Sequence, residues 1–336
     1  MPQTMPPAPA ATGDERLSRA RAWSDYWASG ALHSCVGSFS GNYAGAIAAF
    51  WQAVFDRLPQ SAQVLDLCCG NAPLSKLLLD SHAERVAGIA AADLAEISPP
   101  WLAGLAPELA ARVRVHAGVD AAALPLPDAA FDLCMSQYGI EYAGEGAFRE
   151  AARVLKPGAR MAAVIHHVDS LPVRIARAEL THLDALLDAD GLLARAVAMI
   201  EPMARTASEA GRRQLAHDDA ANAARSAFNL ALGDVQARIE RGPFADVLIE
   251  QREALMALLA AAPRIGVEAG RRAWEAQREA LRAARLRQRE LLEFACDAPR
   301  LQALAALLGD AAPSVDAVRF DNGELAGWGL LATRVG

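Results

Sequence analysis

Hydrophobic positions in this chain fall into short apolar runs separated by longer amphipathic stretches, the alternation of strands and helices. Val64–Leu67 reads as a buried strand, Cys68–Ala72 as a tight turn and Pro73–Leu79 as a helix. Proline suits that first helical position because its missing N–H would have no partner there. Further strands follow at Arg85–Ile89, Val113–His116, Phe131–Ser136 and Met161–His166. A helix over about 145–155 and a Pro157-Gly158 turn lead into the last of these. A helix at Arg300–Leu308 precedes two closing strands, Ser314–Phe320 and Gly327–Val335. Ahead of the first strand, residues 15–60 read as helical. Trp23, Tyr26 and Trp27 lie on one stretch, and Ile47, Phe50, Trp51, Val54 and Phe55 recur at helical spacing on another, with a Gly/Ser-rich loop over Gly30–Gly45 between them. Residues 171–312 read as almost entirely helical, with long helices at Val247–Ala262 and Ala269–Ala295 joined around Pro263–Gly266.

Strands alternating with helices predict a parallel sheet. There the Cys68–Ala72 turn lies at the carboxyl edge and the following helix N-terminus points at whatever binds.

Composition narrows the partners. With 336 residues, 53% hydrophobic and 22% charged, the chain can bury one large core or two. A net charge of −7 gives no general attraction to nucleic acid or an anionic membrane. No run approaches the ~18 apolar residues of a membrane span. The first residues carry no basic segment followed by an apolar core, and their Pro/Ala content predicts a disordered tail over 1–14. Cys35, Cys68, Cys69, Cys134 and Cys296 are scattered without metal spacing and read as reduced thiols of a cytoplasmic protein. Lysine occurs only at Lys76 and Lys156, which with the high alanine content reads as coding bias.

Leu65-Asp66-Leu67-Cys68-Cys69-Gly70-Asn71-Ala72 resembles the first motif of the class I S-adenosylmethionine-dependent methyltransferases, with Cys68 and Ala72 where that pattern has glycines. Gly118–Asp132, with its LPLPDAAFD run, and the RVLKPGAR segment ending at Arg160 follow in the family's order. The resemblance covers roughly 61–168 and 298–336. It implies an α/β fold, a Rossmann-like doubly wound seven-stranded sheet with a large all-helical insertion between strands five and six. The expected divisions are the tail 1–14, an N-terminal helical lid 15–60, the core 61–168, the insertion 169–297 and the closing helix and strands 298–336.

The resemblance also implies S-adenosylmethionine as cofactor and assigns candidate contacts residue by residue. Asp66 supports the cofactor's amino-acid end, and Gly70, flanked by Cys68 and Asn71, lets the backbone approach it. Asp93 is the acid nearest the end of the second strand. It either meets the ribose hydroxyls, for which a carboxylate offers two acceptors, or caps the following segment. Asp120 and Ala121 stand where the family meets adenine, and the bland reading of Asp120 is a turn residue bonding its own backbone. Gln137 and Tyr138 leave the fourth strand facing cofactor and substrate, while Glu141 starts the next helix. Tyr43 and Trp27 are lid contacts or plain packing. His166 and His167 end the fifth strand, where a near-neutral imidazole could deprotonate an acceptor. Their alternative is strand-end packing, with Asp169 or Ser170 as a cap. His182 and Asn229 are pocket candidates within the insertion.

The leading expectation is methyl transfer to a small-molecule acceptor by a cytoplasmic enzyme, without metal or membrane. A homodimer through the insertion accompanies it. The alternative is a non-catalytic relative that senses the cofactor or stabilises a partner through its helices. Arg271, Arg272, Arg278, Arg282, Arg285, Arg287 and Arg289 make the last long helix basic, but interspersed glutamates predict a solvated face. Nucleic acid is disfavoured by the net charge and by Ser136-Gln137-Tyr138-Gly139, which lacks the Asn/Asp-Pro-Pro-Tyr/Phe pattern used on bases.

Overall fold

The computed structural model describes residues 13–34, 41–310 and 312–335, so the expected tail over 1–12 and Cys35 lie outside it. The chain forms α1 (Gly13–Ala28), α2 (Gly45–Phe55), β1 (Ala62–Leu67), α3 (Pro73–His82), β2 (Val86–Ala92), α4 (Pro107–Ala110) and β3 (Val113–His116). It continues with β4 (Phe131–Gln137), α5 (Ile140–Val154), β5 (Leu155–Ile165), α6 (Leu171–Leu187), α7 (Leu192–Arg205) and α8 (Glu209–Leu215). The remainder is α9 (Asp219–Arg241), α10 (Asp246–Phe294), α11 (Ala298–Ala306), β6 (Ser314–Arg319) and β7 (Leu325–Thr333). Seven strands form one sheet in the order β3-β2-β1-β4-β5-β7-β6. β1 to β5 run parallel, and β7 is antiparallel to both its neighbours. The seven-stranded α/β expectation therefore holds, as does the helical stretch between the fifth and sixth strands.

Several boundaries move, among them the start of β5, which lies at Leu155 and not at Met161, so that Pro157 and Gly158 fall inside the strand. Helix α1 starts at Gly13, so Gly13 and Asp14 are helical rather than part of a tail. Strand β2 runs to Ala92, three residues past the expected end, because Ile89–Ala92 pair with both Val64–Leu67 and Val113–His116. Asp93 therefore follows the strand directly. Helix α5 starts at Ile140, not near 145, and bends at Gly144, whose backbone is non-helical at φ 66°.

The described residues divide into two compact units. One runs up to Val173 and resumes at Glu293, and the other is Arg174–Leu292. In the first, strand periodicity of two sends alternate side chains to two cores. Leu65, Leu67, Cys134 and Phe148 lie in one with Leu301 and Leu304 of α11. Val64, Leu133 and Met135 lie in the other with Ile47, Trp51 and Phe55 of α2 and Leu74 and Leu78 of α3. Trp51, Phe55 and Phe148 are fully buried, and side chains of that kind each contribute roughly 1.5–3 kcal/mol by leaving water.

The second unit has its own apolar core, including Leu186, Leu193, Ile200, Phe228, Leu255, Leu259, Trp274 and Leu281. Trp274 satisfies its indole by donating to the Leu193 carbonyl at 2.8 Å. The two expected long helices appear as one element, α10, broken at Gly266, whose φ of 79° and ψ of 171° lie in a region open essentially to glycine. Among the described residues no helix is long and apolar enough to cross a membrane.

Candidate functional site

The turn after β1 is held by three left-handed residues in alternation, Cys68 (φ 55°), Gly70 (φ 54°) and Ala72 (φ 53°). Cys68 and Ala72 occupy, without glycine's freedom, the two positions where the glycines are replaced. Left-handed backbone at a residue with a Cβ costs on the order of 1–3 kcal/mol, so the surrounding packing must hold the turn. It does: Cys69 N–H donates to Ala92 O at 3.2 Å, and Ala72 N–H donates to Cys69 O at 2.8 Å. Gly70 has no room for a side chain, since a Cβ there would lie 2.3 Å from the Trp27 ring of α1. Burial pushes the Cys68 and Cys69 thiols well above the usual thiol range.

Three carboxylates follow at the carboxyl edge. Asp66, in β1, is buried and accepts from the Ser75 N–H at 3.1 Å and the Ser75 hydroxyl at 2.7 Å. Burial raises it to about 7 in spite of those bonds, and nearby Asp93 adds to the rise. Asp93 accepts from Gly70 N–H and from Ala95 N–H, both at 2.8 Å. It thus caps its own segment and also reaches the glycine turn, and burial raises its pKa. Asp120 accepts from Ala122 N–H at 3.0 Å, as a turn residue does, and pairs with Arg16 of α1 at 2.7 Å. Ala121 beside it is buried in the core.

At the end of β4 the backbone turns sharply, with Tyr138 at φ 54°. Gln137 accepts from the Trp51 indole at 2.6 Å. The Tyr138 hydroxyl donates to the Ala326 carbonyl at 3.0 Å, so it is turned into β7 instead of presented for a substrate. Its ring stacks on His166 at 4.3 Å between centroids. His166 is 4% exposed and shares a hydrogen bond of 2.8 Å between Nδ1 and Glu141 Oε1. Glu141 is 0% exposed, and the same oxygen accepts the His166 backbone N–H at 3.0 Å. His167 stands apart from this pair. Its Nδ1 accepts from Asp169 N–H at 2.9 Å, and its ring packs against Trp328 at 4.4 Å. Desolvation lowers its pKa.

Tyr43 is buried and stacked on His33 at 5.2 Å. Asn71 donates through Nδ2 to the Trp27 and Ala31 carbonyls at 3.0 and 2.7 Å, tying the turn to the segment after α1. His182 and Asn229 belong to the other unit.

Among the described residues, five buried side-chain polar atoms without a hydrogen-bond partner end or follow strands at their carboxyl ends: Asn71 Oδ1 after β1, His116 Nε2 ending β3, Gln137 Nε2 ending β4, Glu141 Oε2 after β4 and Ser170 Oγ after β5. A buried donor or acceptor left unmade costs about 1–3 kcal/mol. All five share the carboxyl side of the sheet, the side on which open α/β sheets receive ligands. Three residues of the site escaped the sequence reading, His116 among them because it reads only as the end of a strand. Arg16 sits in a helix that looks merely amphipathic. Glu141 looks like an ordinary first-turn acid until the end of β5 is brought beside it.

Residues 64–158 match a family model described as a methyltransferase domain. No curated protein matches the chain. Among solved structures it resembles the YcgJ protein of Bacillus subtilis, at 24% identity, covering 42% of this chain and 59% of that one with a TM-score of 0.29. It also resembles a S-adenosylmethionine-dependent methyltransferase from Aquifex aeolicus, at 22% identity over 35% of this chain and 64% of that one, with a TM-score of 0.30. A third is a geranyl diphosphate C-methyltransferase from Streptomyces coelicolor A3(2), solved with Mg2+, geranyl diphosphate and S-adenosyl-L-homocysteine. Here identity is 16% over 48% of this chain and 67% of that one, with a TM-score of 0.35. The chain spans about half to two thirds of the length of the solved structures it matches.

Proposed function

We propose that this chain, whose residues 64–158 match a methyltransferase-domain model, is a class I S-adenosylmethionine-dependent methyltransferase and that it moves a methyl group from S-adenosylmethionine to a small-molecule acceptor. The observation that carries this reading is the match of residues 64–158 to a methyltransferase-domain model, on a sheet whose strands are followed at their carboxyl ends by unpartnered buried polar atoms.

The residues there suit the cofactor chemically. Asp93 lies directly after β2, where a carboxylate would accept from ribose hydroxyls in exchange for its present N–H donors. Asp120 would accept from the adenine amine, with Ala121 N–H as the matching donor. Gly70 gives a close backbone approach once the Trp27 ring that now fills the space over it gives way, Asn71 Oδ1 and Gln137 Nε2 offer an acceptor and a donor, and Cys68 forms the wall. Asp66 would act through the turn it braces rather than by direct contact, because both its hydrogen bonds go to Ser75. Tyr43 would close the segment before β1. When bound, the cofactor supplies a methyl carbon already activated by the sulfonium. What the protein then adds is alignment and exclusion of water, a contribution of as much as ~7–11 kcal/mol. His166 is the base candidate at the edge, whereas His167 is held by Asp169 and Trp328. The Tyr138 ring supports His166 in place of touching the acceptor.

Calorimetric titration with S-adenosylmethionine and S-adenosylhomocysteine tests the site. Binding to wild type is expected to weaken at least tenfold in Asp120→Ala, which removes an acceptor worth about 1.5 kcal/mol or more, and to vanish in Gly70→Val. A folded wild-type protein that binds neither compound would sink the assignment. A screen for transfer of labelled methyl to small molecules then finds the acceptor.

A further inference from the structure

The exit of β5 holds a buried acid–imidazole pair whose parts come from different elements. Glu141 lies in the first turn of α5, and His166 follows the last residue of β5. One carboxylate oxygen, Oε1, accepts twice, from the His166 backbone N–H at 3.0 Å and at Nδ1 at 2.8 Å. The backbone contact fixes which oxygen faces the ring. An acceptor oxygen in that place leaves Nδ1 as the proton carrier, so the lone pair of the neutral ring is on Nε2.

Packing fixes the ring plane as well. Tyr138 stacks on one face at 4.3 Å and 24°, and Tyr142 meets it edge-on at 5.9 Å and 85°. The Tyr138 hydroxyl is tied to Ala326, so the stacked ring cannot swing away without breaking that bond. Nε2 makes no hydrogen bond with a described residue and is not among the fully buried polar atoms. The second carboxylate oxygen, Oε2, is buried and has no partner. Among the described residues facing the pair are Tyr138 and Tyr142 beside the ring, Cys68 within electrostatic range of Glu141, and Cys296, whose N–H donates to the His166 carbonyl at 2.8 Å.

We propose that Glu141 is a positioning residue that sets His166 as a general base, and that the acceptor is therefore a hydroxyl compound that must lose its proton as it is methylated. This rests on the methyl-transfer reading above. The acceptor O–H bond breaks and its proton passes to Nε2. The freed electron pair forms the O–CH3 bond, and the S–CH3 pair stays on sulfur as a neutral thioether. The Glu141 carboxylate stabilises the imidazolium that forms, and the proton then leaves to solvent from Nε2. An acceptor that already offers a lone pair without an acidic proton, such as a thioether or tertiary amine, would have no use for this pair.

The test uses the full chain labelled with 15N-histidine. In wild type the His166 resonances are expected to report hydrogen on Nδ1 and a bare Nε2. Glu141→Leu removes the acceptor and should move the hydrogen to Nε2. Glu141→Gln keeps an acceptor oxygen against the His166 backbone N–H, so it should keep the tautomer and lose only the charge. With the acceptor found in the screen, Glu141→Gln and His166→Gln should lower kcat by roughly 100-fold, the scale of general base catalysis, with KM and S-adenosylhomocysteine affinity unchanged. Hydrogen on Nε2 in wild type, or equal kcat in all three proteins, overturns the proposal. So does an acceptor methylated at an atom that loses no proton. If S-adenosylhomocysteine binds to none of the proteins, the methyl-transfer reading fails separately, and the tautomer alone decides the role of Glu141.

Discussion

Asp66 shows how one side chain can serve the architecture at an energetic cost. It lies one residue before the end of β1 with its carboxyl buried, and its two hydrogen bonds to Ser75 brace the start of α3. Burial lifts its pKa from the ordinary carboxylate range to about 7. Between about pH 4 and 7 the folded protein therefore holds a proton that the unfolded chain has released. By linkage, folding stability falls as pH rises through that window, and the loss is complete above the folded pKa. Asp66→Asn keeps an acceptor oxygen for Ser75 and carries no ionisable proton. Its melting temperature relative to wild type is expected to climb between pH 5 and pH 8, by the equivalent of roughly 2–4 kcal/mol. A flat difference across that range would show that Asp66 ionises normally. Arg16 offers a second residue-scale test. Its pair with Asp120 is 46% and 26% exposed at the two side chains, in the regime where ion pairs contribute about 0–1 kcal/mol. Arg16→Ala should then raise cofactor affinity, by no more than about fivefold in calorimetry, and a weaker affinity would mean that Arg16 assists the ligand.

At the scale of elements, legibility tracked locality. The strands and the helix-rich stretch after β5 could be read because each rests on a local pattern, β-type runs and the i, i+3, i+4 spacing of Ile47, Phe50, Trp51 and Val54, whereas the sheet order came from the family resemblance and the expected Pro157-Gly158 turn lies inside β5. Two ends were misjudged where tertiary contacts override local preference. Ala90–Ala92 have weak strand propensity, yet β1 and β3 flank them and satisfy their backbone groups, which extends β2 to the threshold of Asp93. Helix α5 likewise starts early, because Ser136 Oγ accepts the Ile140 N–H at 3.1 Å in a turn the sequence does not announce. For the site, the carboxylates and the turn were legible from their places after strands. The partners of those groups were not. Nothing along the chain says that Arg16 meets Asp120, that Gln137 holds Trp51, or that Glu141 lies under His166, since those pairs are 25 to 104 residues apart and arise only from the sheet order. Tyr138 and His167 show the converse: both are chemically apt, yet the Tyr138 hydroxyl is engaged by Ala326 and the His167 Nδ1 by the Asp169 N–H.

At the scale of the molecule, the helical unit interrupts the sheet unit at a point where the sheet unit hardly parts. Val168 N–H donates to Cys296 O at 3.3 Å, and Cys296 N–H donates to His166 O at 2.8 Å, so the outgoing and returning chains are hydrogen-bonded to each other. His167 and Cys296 pair as a parallel bridge. The closure of the sheet unit therefore does not depend on Arg174–Leu292 to hold its ends together. A version in which a short Gly/Ser linker replaces that segment is expected to unfold in one cooperative transition and to retain S-adenosylhomocysteine binding. Loss of cooperative unfolding would show that the sheet unit needs the helices to fold.

The position of β7 has a consequence for biosynthesis. The strand that pairs with β5 is the last in the chain, and it must slot between β5 and β6 in reversed direction. While the ribosome is still making the helical segment, β5 presents a bare row of N–H and C=O groups along Arg160–Ile165, a template on which other nascent strands can dock. The helical segment can bury its own apolar core during this interval, whereas the sheet must wait. A chain cut short before Leu325 would thus leave the cell with half-finished material whose hazard is self-association at β5, and its fate would be decided by chaperones and proteases before any question of activity arises.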